Sequence, residues 1–257
     1  MASPDVLFSA NVERCFSRSA AAYQQGATLQ AAIAQRLGRL SQPLINQLPT
    51  GPRADLGAGT GFLARAIEGR SHGPALLRVD ASEALLEQER QRDSATPSKR
   101  WDLNQGLPTE LQAAALLASS FALQWLEQPT TQLSGWCEAL RPGGILLLAV
   151  PCRGSFQLWQ QSALKANVPC TALALPNATD LIASAEPSLD LLHCQQLRFS
   201  RPNPGARGFL RQIKSIGAQA SRTPRLQPGQ LRRLIRHWPG PEQAIVWHVL
   251  MLVGRKR

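Results

Sequence analysis

The chain has 257 residues, of which 44% are hydrophobic and 18% charged, so it can bury a sizeable core and is too apolar for an intrinsically disordered protein. Its formal net charge is +11, from 28 basic and 17 acidic residues. No apolar run approaches the roughly 20 residues needed to cross a bilayer, and no continuous apolar segment of the kind found in secretory signals follows the N-terminus. We therefore expect a cytoplasmic protein without a membrane span.

The first 92 residues predict a helix followed by alternating strands and helices. Apolar residues recur at three- and four-residue steps over 11–40 and predict a helix, which the Pro and Gly residues between Pro43 and Pro52 should end. The elements expected next are a short strand before Asp55, a helix over 62–68, a strand over 75–80 and a helix over 83–92. This alternation predicts right-handed βαβ units and a parallel sheet.

Two further segments, 113–119 and 144–150, predict central strands that are buried on both faces. The first has the local composition of a helix, but the alternation of elements requires a strand there. A helix over 131–140 should separate the two strands and end at the turn 141–144. Residues 151–210, rich in Pro, Asn and Ser, predict an insertion outside the core, and 244–257 predict a last strand near a sheet edge.

The net charge lies entirely in the last quarter of the chain. Residues 195–257 hold 13 basic residues and one acid, Glu242, a net charge of +12, whereas the first 194 residues hold 15 basic and 16 acidic residues, a net charge of −1. This asymmetry favours an acidic partner, which could be nucleic acid, an anionic membrane or an acidic protein. A solvated Arg-rich face without a partner is the alternative interpretation.

Several classes of site are disfavoured by the spacing of reactive residues. The five cysteines and four histidines have no spacing typical of metal ligands, so we expect reduced thiols and no metal. The chain has neither a GxSxG turn nor a GxxxxGK loop, which disfavours nucleophilic hydrolysis and P-loop phosphoryl transfer.

A glycine-rich loop, Asp55-Leu-Gly57-Ala-Gly59-Thr-Gly61, follows the first predicted strand. Its glycines permit positive φ angles and let the backbone approach a ligand closely. Asp80 follows 19 residues after Gly61, at the end of the next strand, where a carboxylate can accept hydrogen bonds from both hydroxyls of a ribose. With a further acid after a third strand, Asp102, the pattern predicts a nucleoside site.

This pattern resembles motif I of the class I S-adenosylmethionine-dependent methyltransferases. The resemblance implies S-adenosylmethionine as cosubstrate and a doubly wound, mostly parallel, seven-stranded α/β sheet of Rossmann-like type, with an N-terminal helical lid and a helical insertion before the last strands. The cofactor contacts it implies are Asp55 near the methionine amino group, Gly57, Gly59 and Gly61 under the methionine and ribose, Asp80 at the ribose, Asp102 and Leu103 at the adenine, and Ser119 near the methionine.

Further segments narrow the resemblance to the malonyl-[acyl-carrier protein] O-methyltransferases of biotin synthesis. They occur in the family's order and are FSRSAAAY (16–23), SSFALQW (119–125), RPGG (141–144), GSF (154–156), KSIGA (214–218) and WP (238–239). The resemblance implies one methyltransferase domain, divided into a helical cap (1–48), a cofactor-binding core (49–150) and a substrate-side insertion with the basic segment and C-terminal strands (151–257). Ala58 and Ser120 replace the Cys and Asn that are common in the family, and residues 157–200 match loosely.

The implied reaction is methylation of the free carboxylate of a malonyl thioester, carried by acyl carrier protein or by coenzyme A. A carboxylate is nucleophilic without a general base, so the protein should supply a cation to hold it and a lid to exclude water. The candidates for holding or positioning the carboxylate are Arg18, Tyr23 and Lys214. Acyl carrier protein is acidic, so it should dock on the basic segment, where the candidate contacts are Arg198, Arg201, Arg207, Arg211, Arg222, Arg225, Arg232, Arg233 and Arg236.

Other functions stay open at the level of sequence. The acceptor could be a quinone-like small molecule or RNA, although the chain lacks an added RNA-binding module and the N/D-P-P-Y/F motif of amino-group methylation. A catalytically silent cofactor-binding or nucleic-acid-binding protein is the alternative outside the enzymes, since a cofactor site does not establish turnover.

Overall fold

Helices and strands alternate along the chain in a computed structural model that describes residues 4–70 and 73–257. The helices are α1 (Pro4–Gly26), α2 (Thr28–Ile45), α3 (Phe62–Glu68), α4 (Glu83–Arg90), α5 (Pro129–Ala139), α6 (Gln157–Lys165), α7 (Ala178–Ala185), α8 (Gly205–Ser215) and α9 (Pro228–Arg236). The strands are β1 (Arg53–Leu56), β2 (Leu77–Asp80), β3 (Ser98–Arg100), β4 (Ala114–Ser120), β5 (Leu140–Pro151), β6 (Leu189–Arg201) and β7 (Ile245–Lys256).

Within the described residues these strands form one seven-stranded sheet in the order β3-β2-β1-β4-β5-β7-β6. Strands β1 to β5 pair in parallel, and β7 runs antiparallel between β5 and β6. The order reverses direction between β1 and β4, which creates a crevice at the carboxyl ends of these strands. The α/β fold with a doubly wound, mostly parallel sheet is therefore confirmed, and so is the strand expected over 113–119.

Two hydrophobic layers cover the faces of the sheet. Alternate side chains of β4 point to opposite layers, so Leu116 packs with α2, α3 and α8 while Leu117 packs with α5 and α7. Both leucines are fully buried, as expected for central parallel strands. No helix among the described residues is long and apolar enough to cross a bilayer.

The helix predicted over 11–40 is wrong in its continuity, because the chain forms two helices that meet at Ala27. Gly26 ends α1 where the backbone passes close to the end of α8, and a Cβ atom there would lie 2.7 Å from Cγ2 of Ile216. The close packing of these segments, which local periodicity cannot report, sets the break. Pro43 lies inside the last turn of α2, so the helix ends at Ile45 rather than before the proline.

The prediction that 151–210 is an insertion outside the core is wrong, because Trp159 of α6 and Leu181 of α7 are buried in the two core layers and 189–201 join the sheet. These residues form β6, a 13-residue strand that pairs along β7 at the edge of the sheet. Among its residues only Leu189 is buried, so the segment lacks the apolar run that marks the central strands. Helices α6 and α7 precede β6, whereas α8 and α9 precede β7, so β6 divides the helical segment expected before the last strands.

The turn predicted at 141–144 lies within β5 instead of before it. Leu140 pairs with Ala114 and Ile145 pairs with Leu116, so the intervening residues form an irregularity in the strand. Gly143 has a φ of 79°, which lets the backbone bulge without breaking the pairing on either side.

Candidate active site

A cleft of about 700 Å³ opens at the carboxyl ends of β1, β2, β3 and β4, where the strand order reverses. Helix α1 covers one side of it. The residues that line it are Ser9, Val12, Glu13, Phe16, Tyr23, Gly57, Gly59, Asp80, Ala81, Ser82, Leu85, Trp101, Asp102, Leu103, Asn104, Ser120, Phe121, Ala122, Trp125 and Leu126. Six of the predicted residues, Tyr23, Gly57, Gly59, Asp80, Asp102 and Leu103, therefore lie around one cavity.

The glycine loop connects β1 to α3 and forms the floor of the cleft. Gly57, Gly59 and Gly61 have φ angles of 67°, 56° and 74°, which residues other than glycine rarely adopt. The N–H groups of Gly57 and Ala58 both donate to the carbonyl of Val79, which fastens the loop to β2. Gly61 faces Glu89 and Arg65 behind the loop, outside the cleft lining, and its role in the structure is to start α3.

Asp80 ends β2, and backbone donors fix its carboxylate. Oδ2 accepts a hydrogen bond from the N–H of Gly59 at 2.8 Å, and Oδ1 accepts one from the N–H of Ser82 at 2.8 Å. Burial raises the pKa of Asp80, and these two hydrogen bonds partly offset that rise. Each oxygen retains acceptor capacity toward the cleft, which suits a diol that donates two hydrogen bonds.

Helix α1 is held across the cleft by polar contacts with the loops after β2 and β3. Ser9 Oγ donates to Asp102 Oδ2 at 3.1 Å, and the hydroxyls of Ser17 and Ser82 lie 2.8 Å apart. Asp102 also accepts a hydrogen bond from the backbone N–H of Asn104 at 3.0 Å. A ligand in the cleft would therefore lie between the sheet edge and the N-terminal helix.

A smaller cavity of about 280 Å³ lies beside the cleft and is lined in part by Asp55, Ser120 and Tyr23. Asp55 Oδ2 accepts a hydrogen bond from the N–H of Ala64 at 3.0 Å, but its buried Oδ1 has no partner. Burial raises the pKa of Asp55 to about 7. Ser120 Oγ is also unpartnered, so both oxygens are available to accept hydrogen bonds from a cationic group of a ligand.

Ser119, the serine expected at the cofactor, does not line these cavities. It is fully buried, and its hydroxyl donates to the carbonyl of Leu56 at 2.8 Å, which ties β4 to β1. The next residue, Ser120, faces the cavities instead, because successive side chains of a strand point to opposite sides.

A second pocket of about 890 Å³ adjoins the cleft and is mainly apolar. Phe16, Tyr23, Phe121 and Trp125 line both spaces, and we call these four residues the aromatic junction. The remaining lining residues are Gly26, Leu29, Gln30, Gln124, Pro151, Phe156, Trp159, Thr171, Leu173, Leu175, Arg201, Gln212, Ile213, Ile216, Ala218, Ala220 and Trp247.

The aromatic junction is well packed and includes a strained residue. Phe16 contacts Trp125 edge to face with ring centroids 5.4 Å apart, and Tyr23 lies 6.2 Å from Phe16. Phe121 has a φ of 57°, and Phe156 in the same pocket has a φ of 60°. Non-glycine residues with positive φ cost free energy and are concentrated at functional sites.

The three residues predicted to hold a carboxylate lie in different places. Tyr23 belongs to the aromatic junction, and burial together with the charges of Asp80 and Asp55 raises the pKa of its hydroxyl, so the group stays a donor. Arg18 and Lys214 are exposed and line neither space. These two predicted residues therefore lie outside both the cleft and the second pocket.

The second pocket holds two polar groups that the sequence did not place there. Arg201 is the one charged side chain among the described residues that line the pocket. Trp159 Nε1 is a buried donor without a partner. Arg201 is predicted from the sequence as a carrier contact and Trp159 has no predicted role, because both belong to the stretch 151–210 that is expected to lie outside the core.

The described residues contain no group of three His, Cys, Asp or Glu side chains that could hold a metal ion. All five cysteines are free, and burial raises the pKa of the thiols of Cys137 and Cys152 to about 12 and about 11. These two thiols are protonated at neutral pH and pack as small apolar side chains.

Known proteins share the fold of this chain and identify its family. Residues 54–146 match a methyltransferase domain model. A solved structure of a methyltransferase from Bacillus halodurans superposes with a TM-score of 0.59 at 14% identity, covering 86% of this chain and 98% of the other. At that identity the likeness establishes the fold.

Curated relatives extend the match over most of the chain. It is 32% identical over 210 residues to the malonyl-[acyl-carrier protein] O-methyltransferase of Alcanivorax borkumensis, which covers 80% of this chain and 70% of that protein. It is 28% identical over 237 residues to the biotin biosynthesis bifunctional protein BioCD of Bordetella avium, covering 89% of this chain and about half (48%) of the longer relative. The chain is an S-adenosylmethionine-dependent O-methyltransferase of class I and belongs to the malonyl-[acyl-carrier protein] O-methyltransferase family.

Proposed function

We propose that this enzyme transfers a methyl group from S-adenosylmethionine to the free carboxylate of a malonyl thioester borne by an acidic acyl carrier protein. The product is the malonyl methyl ester that primes pimeloyl and biotin synthesis. The observation that carries this proposal is the apolar pocket joined to the nucleoside cleft through the aromatic junction. A short acyl chain in that pocket would bring its terminal carboxylate to the junction.

The cleft suits S-adenosylmethionine residue by residue. Asp80 would hold the ribose diol, Asp102 the adenine amino group beside Leu103, and the unpartnered oxygen of Asp55 the methionine ammonium. Gly57 and Gly59 would let the backbone lie against the methionine and ribose, while Gly61 would act through the turn that starts α3. Ser120 takes the position expected for Ser119. In this proposal 1–48 act as a cap, 49–150 bind cofactor, and 151–257 bind the acceptor and its carrier.

S-adenosylmethionine supplies an electrophilic methyl carbon bonded to a sulfonium. The acceptor carboxylate oxygen bonds to that carbon as the carbon–sulfur bond breaks, and no proton is transferred. The protein therefore needs no general base, and its contribution is to align the reacting groups and exclude water. The aromatic junction would provide the dry surface around this point, with the protonated Tyr23 hydroxyl as a hydrogen-bond donor to the carboxylate.

A group of exposed cations beside the pocket supports an acidic carrier. We call it the basic α1–α8 surface, and it consists of Arg14, Arg18, Arg207, Arg211, Lys214 and Arg225. Helices α1 and α8 are joined where Ser19 Oγ donates to the carbonyl of Lys214 at 3.2 Å. Burial raises the pKa of the Cys15 thiol on α1, and the positive charges of Arg14, Arg225 and Arg18 partly offset that rise. These three guanidinium groups therefore lie around one thiol.

The inner faces of the same two helices form walls of the pocket, through Phe16 and Tyr23 on α1 and Gln212 and Ile213 on α8. A carrier bound to the basic α1–α8 surface would therefore hold its flexible thioester arm near the pocket. Complementary charge would raise the association rate and orient the carrier more than it would raise affinity. The predicted roles of Arg18 and Lys214 thus move from holding the carboxylate to binding the carrier.

The experiment is a mass-spectrometric assay of malonyl-acyl carrier protein with S-adenosylmethionine. We expect a methyl-sized mass gain on the malonyl group with the wild-type protein, and its loss with Asp80→Ala. Glu138→Gln, which removes an exposed carboxylate from α5, is the matched control and should leave the gain intact. Malonyl-pantetheine as acceptor would separate the need for the carrier from the need for the thioester.

Absence of any mass gain on either malonyl thioester, in a preparation that still binds S-adenosylmethionine, would contradict the proposed acceptor. Quinone-like molecules and RNA would then be tested as acceptors under the same conditions. Cofactor binding without transfer to any of them would indicate the catalytically silent alternative.

A further inference from the structure

Arg201 occupies a distinctive position at the end of β6. The other residues that line the 890 Å³ pocket are apolar or neutral, and no described acidic residue is among them. The side chain is partly buried, unlike the neighbouring Arg198 on the same strand, which is exposed. Arg201 thus brings the one positive charge among the described lining residues into an otherwise apolar space.

No described carboxylate lies within ion-pair distance of this guanidinium, which donates a hydrogen bond to the neutral hydroxyl of Thr28. The buried Arg78 offers a contrast, because it is paired with acids and contacts Glu68 at 2.5 Å and Glu89 at 3.3 Å. Because a cation withdrawn from water without a counter-charge is unfavourable, the arrangement suits a pocket whose ligand supplies the negative charge.

Thr28 is the first residue of α2, and the first turn of that helix has no acidic side chain to repel an anion. The helix has 18 residues, and no side chain caps its N-terminus. Its first N–H groups are therefore open to a bound anion. Leu29 and Gln30 of the same turn line the pocket, and Tyr23 of the aromatic junction lies just before it in the chain.

We infer that Arg201, supported by the N-terminus of α2, binds the carboxylate of the acceptor and sets the preference of the pocket for an acyl chain with a negatively charged end. The inference rests on the proposed function for the identity of the acyl group. A planar guanidinium can form two parallel hydrogen bonds with a carboxylate, which would fix its orientation as well as its position. Arg201 was predicted to contact the carrier, and its position in the pocket assigns it to the acyl group instead.

The test measures binding and turnover separately. Malonyl-pantetheine and butyryl-pantetheine, whose acyl end is neutral, are titrated into the S-adenosylhomocysteine complex of wild type, Arg201→Met, Arg201→Lys and Arg36→Met. Arg36 is an exposed arginine on α2 that lines neither space, so Arg36→Met controls for loss of one charge. Methylation of malonyl-pantetheine by the same proteins gives KM and kcat.

We expect wild type and Arg36→Met to bind the malonyl compound at least about 10-fold more tightly than the butyryl compound, because charge-assisted hydrogen bonds are strong in apolar surroundings. Arg201→Met should abolish this preference while binding the butyryl compound as well as wild type does. Arg201→Lys should retain part of the preference. If Arg201 had only a structural role, Arg201→Met would instead weaken the binding of both compounds to the same extent.

The two proposals fail in different ways. If wild type methylates malonyl-pantetheine but Arg201→Met keeps the malonyl preference, the inference about Arg201 is wrong and the proposed function stands. If wild type shows a preference that Arg201→Met lacks but transfers no methyl group to any malonyl thioester, Arg201 is a carboxylate-binding residue and the proposed acceptor is wrong.

Discussion

The charged residues around the glycine loop and those of the basic α1–α8 surface are arranged in opposite ways. Around the glycine loop, cations and acids form ion pairs, several of them partly buried: Arg65 with Glu89, Arg78 with Glu68 and Glu89, Arg90 with Glu83 and Glu87, Lys99 with Glu110, and Arg100 with Glu13. The six cations of the basic α1–α8 surface are exposed, and no described acid lies within ion-pair distance of them.

The difference shows that charge serves two purposes in this molecule. The buried Arg78 holds β2 against α4 through Glu89 and also pairs with Glu68, so its removal would leave Glu68 unpaired and Glu89 with Arg65 alone. An exposed cation without a partner contributes little to folding and remains available to a ligand. Stability should therefore depend on charges in the first region, and recognition on charges in the second.

The largest effect is expected at the glycine loop. Gly57→Ala would place a Cβ atom 2.1 Å from Cβ of Ala122 and would also force alanine to a φ of 67°. We expect affinity for S-adenosylhomocysteine, measured by calorimetry, to fall on the order of 100-fold or more because the loop must move. Gly106→Ala is the control, since its φ is 84° but nothing lies within 4 Å of the added atom. Equal losses in the two variants would show that backbone strain alone is responsible.

The ion pairs come next. Arg78→Met should lower the free energy of unfolding by about 3 kcal/mol, because Glu68 loses its partner and the buried Glu89 loses one of two. Arg211→Met, on the exposed face of α8, should change it by less than about 0.5 kcal/mol. Urea denaturation of both variants provides the measurement. Similar losses would remove the distinction between the two regions.

Reversing charge on the basic α1–α8 surface should affect recognition without affecting folding. The triple variant Arg207→Glu, Arg211→Glu and Lys214→Glu should raise KM for malonyl-acyl carrier protein about 10-fold or more at low salt. The effect should shrink as salt is added, because exposed charges are screened. KM for malonyl-pantetheine should not change.

The control for that variant is Arg36→Glu with Arg39→Glu, which reverses exposed charges on α2. A rise in KM of the same size in this control would mean that net charge, and not the basic α1–α8 surface, attracts the carrier.

The smallest effect is the pH dependence at Asp55. Burial raises its pKa to about 7, while Arg78 and the N–H of Ala64 lower it and Asp80 and Glu68 raise it. An ammonium at its free oxygen would favour the charged form, so cofactor affinity should fall by up to about 10-fold per pH unit below pH 7. Asp55→Asn should bind cofactor weakly and without this slope, as calorimetry at several pH values would reveal. A slope that persists would assign it to another group, such as Asp80.

The raised pKa of Asp55 should make the unliganded fold less stable as pH rises, whereas cofactor affinity should increase with pH. A carboxyl group with a raised pKa binds more protons in the folded state, so the unliganded protein should lose stability as pH rises from about 4 through 7. Asp55→Asn should therefore melt at a higher temperature than wild type above pH 7. A lower melting temperature would indicate that the charged carboxylate stabilises the fold.

The sequence by itself determined which loops meet at the cleft. The glycine loop, Asp80 and Asp102 follow strands that are close in the chain, so strand–helix alternation was enough to bring them to one edge of the sheet. Local geometry also decided that Asp80 meets the loop, since its carboxylate accepts a hydrogen bond from Gly59. Helix α3 was predicted with its observed bounds for the same reason.

Tertiary structure decided the second pocket. Phe16, Phe121, Phe156 and Arg201 come from segments far apart in sequence and meet in one pocket because α1, α8 and β6 pack around the end of the sheet. Ser120 faces the cavities and Ser119 does not because successive strand residues point to opposite sides, and Arg201 reaches the pocket because β6 pairs along β7. Short-range patterns report local conformation, whereas contacts over long chain separations depend on packing that no local pattern encodes.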